Sequence, residues 1–321
     1  MSNENILMEN EDVEFIESEA SAQLVAETPE EPRKIRKMSA NKVNIAKKVI
    51  MYFILILFLL WILVPFYIVI VTSFKHWEEA NSPNFTWWPT QGFSVDGYKM
   101  IFQKPIANAY TAIMTGFLNT LWIIIPPTLL GLFTSALAAY AFAKLQFRGK
   151  NVLFGILLAT MMVPGMVTMV PAFTIYDLIG WRGTPLPLMI PGMFGAAACV
   201  FYLRQFFSGI PTETLEAAKL DGLGYVGIFF WIMVPLSKPA LIAQGVLGFV
   251  GGYNDYFGPL LYLTQPPLQT LQIALTTFVS QYNAQWHAIM AGTLVALLPT
   301  IIIYIVAQKY FIEGIASSGL K

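Results

Sequence analysis

Residues 212–235 read TETLEAAKLDGLGYVGIFFWIMVP, and the two halves of this stretch call for different surroundings. Thr212, Glu213 and Glu216 put a hydroxyl and negative charge near the start of a short helix, where free N–H groups and the positive end of the macrodipole favour them. Pro211 suits that start, because the first helical turn has no use for its missing N–H. Leu215, Ala218 and Leu220 supply small or apolar contact surface, and Gly222 and Gly224 stop the helix or let another backbone come close. From Tyr225 onward the residues are almost all apolar. A polar helix feeds directly into a greasy one.

The greasy half is typical of the chain. Of 321 residues, 56% are hydrophobic and 12% charged, where soluble domains carry about 25% charged residues. A helix that crosses the hydrocarbon needs about 20 mostly apolar residues. Six stretches qualify, at roughly 49–72, 117–143, 151–171, 186–205, 238–258 and 288–308. The expected fold class is therefore an all-α membrane protein with six transmembrane helices. Pro126, Pro127, Pro164, Pro191 and Pro299 fall within or beside these spans, which neighbouring helices can tolerate by satisfying the freed backbone groups. A packed bundle follows, with the fourth and fifth spans the most interrupted.

Charge orients it. With the N-terminus placed in the cytoplasm, fifteen Lys and Arg residues fall inside and only Lys75, Lys99, Lys104 and Arg182 outside, a strong positive-inside bias. Both termini and the 212–224 segment are then cytoplasmic, in a multi-pass plasma-membrane protein. The layout expected is a cytoplasmic tail over 1–45, a first span and external loop over 46–112, a transmembrane core over 113–308 and a cytoplasmic end over 309–321. Ten of the nineteen acidic residues lie between Glu4 and Glu31, without apolar periodicity. That composition reads as a disordered tail and not as a secretory signal.

Other features are local. Gly131, Ser135, Ala139 and Ala143 recur every four residues in the second span, and Gly248 and Gly252 repeat the pattern in the fifth. Such ladders bring helix backbones together, within this subunit or at an interface with another. Trp77, Trp87 and Trp88 sit in the first outer segment, as an interfacial belt or a contact for an external protein. Cys199 is the sole cysteine and excludes an internal disulfide. His76 and His287 lack metal-ligand spacing and read as surface residues.

The stretch 216–235 resembles the EAA signature of binding-protein-dependent ABC importer permeases. Glu216, Ala217, Ala218, Gly222, Ile232 and Pro235 match in register, with Val234 where leucine is usual. NTLWIII and AYAFAKLQFRGK, at the two ends of the second span, are similar to the start of the type I importer core. YNDYFGPLLYL at 253–263 and the ending YFIEGIASSGLK resemble the maltose-type (MalG-like) carbohydrate permeases. The likeness covers about residues 45–321 and implies the type I importer permease fold.

The resemblance implies a coupling helix seated in a groove of a cytoplasmic ATPase dimer. Glu216 would meet a basic group there, Ala217 and Ala218 would be small so that the helix seats closely, and Gly222 would permit the turn. Leu220 and Asp221 complete the loop, and Ile232 and Pro235 its exit. It also implies a second, MalF-like permease subunit and an extracytoplasmic solute-binding protein. The substrate would be a carbohydrate, an oligosaccharide for preference. ATP and magnesium would reside on the ATPase, since the sequence contains no G-x-x-x-x-G-K-[ST] loop. No catalytic residue, metal or nucleic acid is called for. Gln244, Asn254, Asp255 and Tyr256 are the candidates for the substrate path. A carboxylate at mid-membrane costs about 2.5–3.5 kcal/mol on insertion scales, so Asp255 should face a cavity or the aqueous boundary. Two other readings stand beside this one: an ABC permease for a non-sugar solute, and an ATP-independent secondary transporter. The latter predicts charged relay residues within the spans and inverted repeats, and neither is found.

Overall fold

The computed structural model describes residues 37–103, 112–281 and 285–318, and those residues are helical with connecting turns. The acidic tail, 1–31, lies outside the described residues. Residues 1–64 and 65–321 form two compact units. The described part of the first is the start of helix α1 (Lys37–Ser73), whose apolar side chains from Val49 to Val64 point outward all round, as a membrane span requires.

The second unit is organised by α4 (Ile113–Lys144). Against it pack α7 (Leu186–Met193), α8 (Ala197–Ser208), α11 (Lys238–Tyr253) and α13 (Leu271–Gln281). The small-residue ladder explains how closely. Gly131 lies against the backbone carbonyl of Gly192, where any Cβ would overlap the oxygen. One turn on, the Ser135 hydroxyl accepts the Ala196 N–H at 3.1 Å, and Thr134 donates to the Met193 carbonyl at 2.9 Å. These bonds serve the break between α7 and α8, whose peptide groups would otherwise be orphaned in lipid. The ladder therefore packs this subunit internally.

Two expected spans are not straight rods. The third, expected over 151–171, is a pair of helices, α5 (Lys150–Met161) and α6 (Gly165–Leu178), bent by 95°. Pro164 causes the break: proline disfavours helical backbone in the residue before it and donates no N–H. The fifth, expected over 238–258, begins earlier. It consists of α10 (Tyr225–Leu236), with a π-helical turn at Phe229–Met233, followed by α11 at an angle of 80°. The bend falls at Ser237, just ahead of Pro239. Among the described residues, four stretches long and apolar enough to cross a membrane, one of them the α7–α8 pair, and two bent pairs thus stand where six spans were expected.

Two large apolar clusters, with a small one at Ile123, Met189 and Leu263, hold the unit. One joins Ala139, Tyr140, Leu203, Phe207, Ile228 and Phe229 near the C-terminal end of α4. The other joins Ile101, Ile113, Tyr253, Leu271 and Ala291 near its N-terminal end. That second cluster uses α3 (Asp96–Ile101), which lies against α14 (Trp286–Ser318). Gly97 permits the approach, because a Cβ there would come within 2.6 Å of the His287 carbonyl oxygen. His287, expected at the surface, is buried in this contact, 2% exposed.

The segment leading to α3 is built on a buried carboxylate. Glu79, in the one-turn helix α2 (Trp77–Ala80), accepts from the Thr86 hydroxyl and from the N–H groups of Thr90 and Gln91. Burial pushes its pKa up, but these hydrogen bonds outweigh it and hold the group at about 2. Lys75 donates to the Thr86 carbonyl and lies 4.6 Å from the Phe85 ring centroid. Burial draws its pKa down, partly offset by Glu79.

Candidate functional site

The polar half of the opening stretch forms α9 (Thr212–Leu220), a helix of 9 residues. Its ends are closed by local chemistry. Pro211 stands just before the first turn instead of in it, and its extended backbone turns the chain into the helix. At the other end Gly222 takes φ +87°, the Leu223 N–H donates to the Ala218 carbonyl and the Gly222 N–H to the Lys219 carbonyl, each at 3.0 Å. That pair of bonds is a Schellman closure, which favours glycine at this position.

One face of α9 is fastened to the bundle. Leu215 and Ala218 are 5% and 4% exposed and join the cluster of Leu203, Phe207, Ile228 and Phe229. Lys144, closing α4, donates to the Ile210 carbonyl just before the helix. The Tyr140 hydroxyl donates to the Tyr225 carbonyl just after it, at 3.2 Å. The helix is thus held at both ends and along its inner side.

The other face is open. Thr212, Glu213, Glu216, Ala217, Leu220 and Asp221 are exposed, Leu220 to 90%. Ala217 and Ala218, both expected to be small so that the helix seats closely in a groove, point apart: Ala217 is exposed and Ala218 buried. Successive residues on a helix point about 100° apart, and Ala218 faces this chain's own core. Its small size lets the helix sit close to the bundle. Ala217 alone presents a small outward side chain. Ile232 is half-buried and Pro235 exposed, both in or beyond the π-helical turn and away from α9's outer face. Tyr225 and Val226, 59% and 71% exposed, add exposed apolar surface just after α9, and the Lys219 ammonium lies 5.2 Å from the Tyr225 ring. Sequence reasoning assigned these two to the greasy half and missed them. An exposed aromatic directly after the helix-stopping glycines was the available signal.

The substrate-path candidates separate. Gln244 is half-buried in mid-α11. Asn254 is exposed and donates to the Val250 carbonyl of its own helix at 2.9 Å. Tyr256 stacks edge-on with Phe257. Asp255 lines a cavity with Thr128, Gly248, Gly252 and Thr270. The structure brings Asp255, and none of the other three, to this cavity. Among the described residues no three His, Cys, Asp or Glu side chains cluster as a metal site.

Residues 131–316 match the family described as the binding-protein-dependent transport system inner membrane component. The chain belongs to this family and is a membrane-embedded component of a binding-protein-dependent transport system. It is similar to the arabinooligosaccharides transport system permease protein AraQ of Bacillus subtilis (strain 168), with 34% identity over 232 residues, 71% of this chain and 79% of that one. It is likewise similar to the inner membrane ABC transporter permease protein YcjP of Escherichia coli (strain K12), at 31% over 285 residues, covering 88% of this chain and all of that one (100%). The probable starch degradation products permease AmyC of Thermoanaerobacterium thermosulfurigenes matches at 31% over 282 residues, 88% and 99% of the two chains. A chain in the crystal structure of a bacterial ABC transporter involved in alginate import shares the fold, with TM-score 0.71 and 23% identity over 88% of this chain and 100% of that one.

Proposed function

We propose that this chain is one permease subunit of an ATP-driven importer that carries a carbohydrate, of oligosaccharide type, delivered by an extracytoplasmic binding protein. The observation that carries the reading is α9, whose inner face is spent on the bundle while Glu213, Glu216, Ala217 and Leu220 are left bare. A charged helix face that its own chain leaves bare suits a protein groove. In this reading the groove belongs to a cytoplasmic ATPase dimer, which holds the ATP and magnesium. Glu216 supplies a charge for a basic partner group, with the strength of charge-assisted hydrogen bonds, and Leu220 with Tyr225 supplies apolar area. Closure of the ATPase dimer pulls on α9. Because Leu215, Ala218, Lys144 and Tyr140 tie α9 to α4, α8 and α10, the pull reaches the spans as a rigid displacement. The chain contributes position and no covalent chemistry.

A different, MalF-like permease completes the channel, and the positive-inside count supports a cytoplasmic position for both termini and α9. The carbohydrate assignment leans on the names of the relatives, among them the lactose permease LacG of Rhizobium radiobacter, 33% identical over 202 residues. A second reading, a small osmoprotective solute, is favoured by one relative, the osmoprotective compounds uptake permease GgtD of Synechocystis, 30% identical over 207 residues. ATP-driven uptake by the reconstituted transporter, measured with a panel of oligosaccharides and osmolytes, separates them. Import of an oligosaccharide is expected, and import of osmolytes only would overturn the carbohydrate assignment.

A further inference from the structure

Three cations meet where α4 ends, and the fold gives them too little negative charge. Lys144, the last residue of α4, donates to the Ile210 carbonyl beyond the end of α8. Arg204 of α8 donates through Nε to the Phe142 carbonyl of α4 at 3.3 Å, and its guanidinium lies 3.9 Å from the centroid of the Phe154 ring. Lys150, the first residue of α5, reaches back to the Leu145 carbonyl at 2.8 Å. All three are half-buried, and Lys150 lies within electrostatic range of both of the others.

The local charges do not balance. The bare carbonyls ending α4 and α8 supply about half a negative charge each. Glu213 of α9 lies within electrostatic range of Lys144 but makes no ion pair with it. The ion pairs among the described residues, Lys99 with Asp96 and Arg182 with Asp177, are elsewhere. Arg148, exposed in the turn between α4 and α5, adds a fourth cation. The start of α5 adds more positive potential, because it has no acidic residue in its first turn and no side-chain cap. About two negative charges thus stand against four cations and a positive helix end.

We infer that this corner binds the headgroup of an anionic phospholipid from the leaflet on the α9 side, with Lys150 and Arg204 on the phosphate and an acyl chain along α5. Only Nε of Arg204 is used by the fold among the described residues, so its terminal N–H groups are free to take two phosphate oxygens at once. The apolar margin selects a lipid over a soluble anion. Phe154 packs between Phe142 and Phe201, at 5.4 and 6.4 Å between ring centroids, and Leu153 and Ile156 beyond it are 51% and 57% exposed. Basic pockets between membrane helices take such headgroups. A zwitterionic headgroup brings its own cation and would leave the excess in place.

The complete transporter, reconstituted in nanodiscs of equal parts phosphatidylcholine and phosphatidylglycerol, tests the site by the lipid it retains in native mass spectrometry. Phosphatidylglycerol should be retained in preference, and millimolar inorganic phosphate should not displace it. Lys150→Gln should lower the preference about fivefold, the worth of one cation beside an anionic headgroup, and Lys150→Arg should keep it. Leu153→Glu sets a carboxylate one helical turn from Lys150 and should abolish the preference by supplying the missing anion from within the chain. That variant also decides the matter if Lys150→Gln does not assemble. Equal retention of the two lipids would overturn the site and leave the anion to a carboxylate of a partner subunit. A preference that survives in Leu153→Glu would overturn it in favour of cations elsewhere in the chain, and displacement by phosphate in favour of a soluble anion.

Discussion

A carboxylate at position 218 would enter the cluster of Leu203, Phe207 and Ile228, whereas one at position 217 would enter solvent. Ala218→Asp should therefore destabilise the permease itself, by about 3–5 kcal/mol if it behaves like other uncompensated buried charges. A lower melting temperature and lower membrane yield than for Ala217→Asp would check this, and equal stability of the two would contradict the packing. Gly222 gives a second residue-scale expectation. Its φ of +87° suits glycine, and a Cβ there meets nothing within 4 Å. The cost of Gly222→Ala is thus backbone strain alone, about 1–2 kcal/mol, read as a modest thermal shift with α9 retained.

At the scale of elements, the segment from Lys75 to Ile101 depends on an ionised Glu79. Its folded pKa, about 2, lies below the ordinary carboxylate value, so its contribution to stability is fully present above about pH 4.3. That contribution fades as pH falls through about 2, because the protonated form loses acceptor strength for the Thr86, Thr90 and Gln91 donors. Tryptophan emission from Trp77, Trp87 and Trp88 should shift over that interval, and in Glu79→Gln the segment should already be loosened at neutral pH with the acid step missing. An unchanged acid step in the variant would assign it to other groups. The sequence carried no sign of this network, since Glu79 finds its partners through a turn whose path no periodicity announces. The bends were half legible. Pro164 and Pro239 announce breaks, but the angles of 95° and 80° depend on what the following helices pack against. The capping of α9 by Gly222 was legible in full, because it needs only local bonds. The inward turn of Ala218 was not, because Ala217 and Ala218 are chemically identical and only the angle around the helix separates them.

For the whole molecule, the charge count proposes a membrane path that reporter fusions test. Reporter fusions after residues 146 and 218 should read cytoplasmic and one after residue 180 external, since Gly180 follows the end of α6. A cytoplasmic signal at 180 would mean that α5 and α6 return to the same face as a re-entrant pair. The larger claim is that α9 is fastened to the bundle on its inner side so that its outer side can be held by the ATPase. Copurification of the ATPase with tagged permease tests it most directly, because the two faces can be altered separately. Ala217→Asp and Leu220→Asp should leave the permease folded in the membrane at wild-type yield while the ATPase is lost and uptake stops. Glu216→Ala, which removes a charge without adding a clash, should retain part of both. If Ala217→Asp and Leu220→Asp carried the ATPase through purification at wild-type stoichiometry and still supported uptake, α9 would be a connector between spans and the coupling account would be wrong.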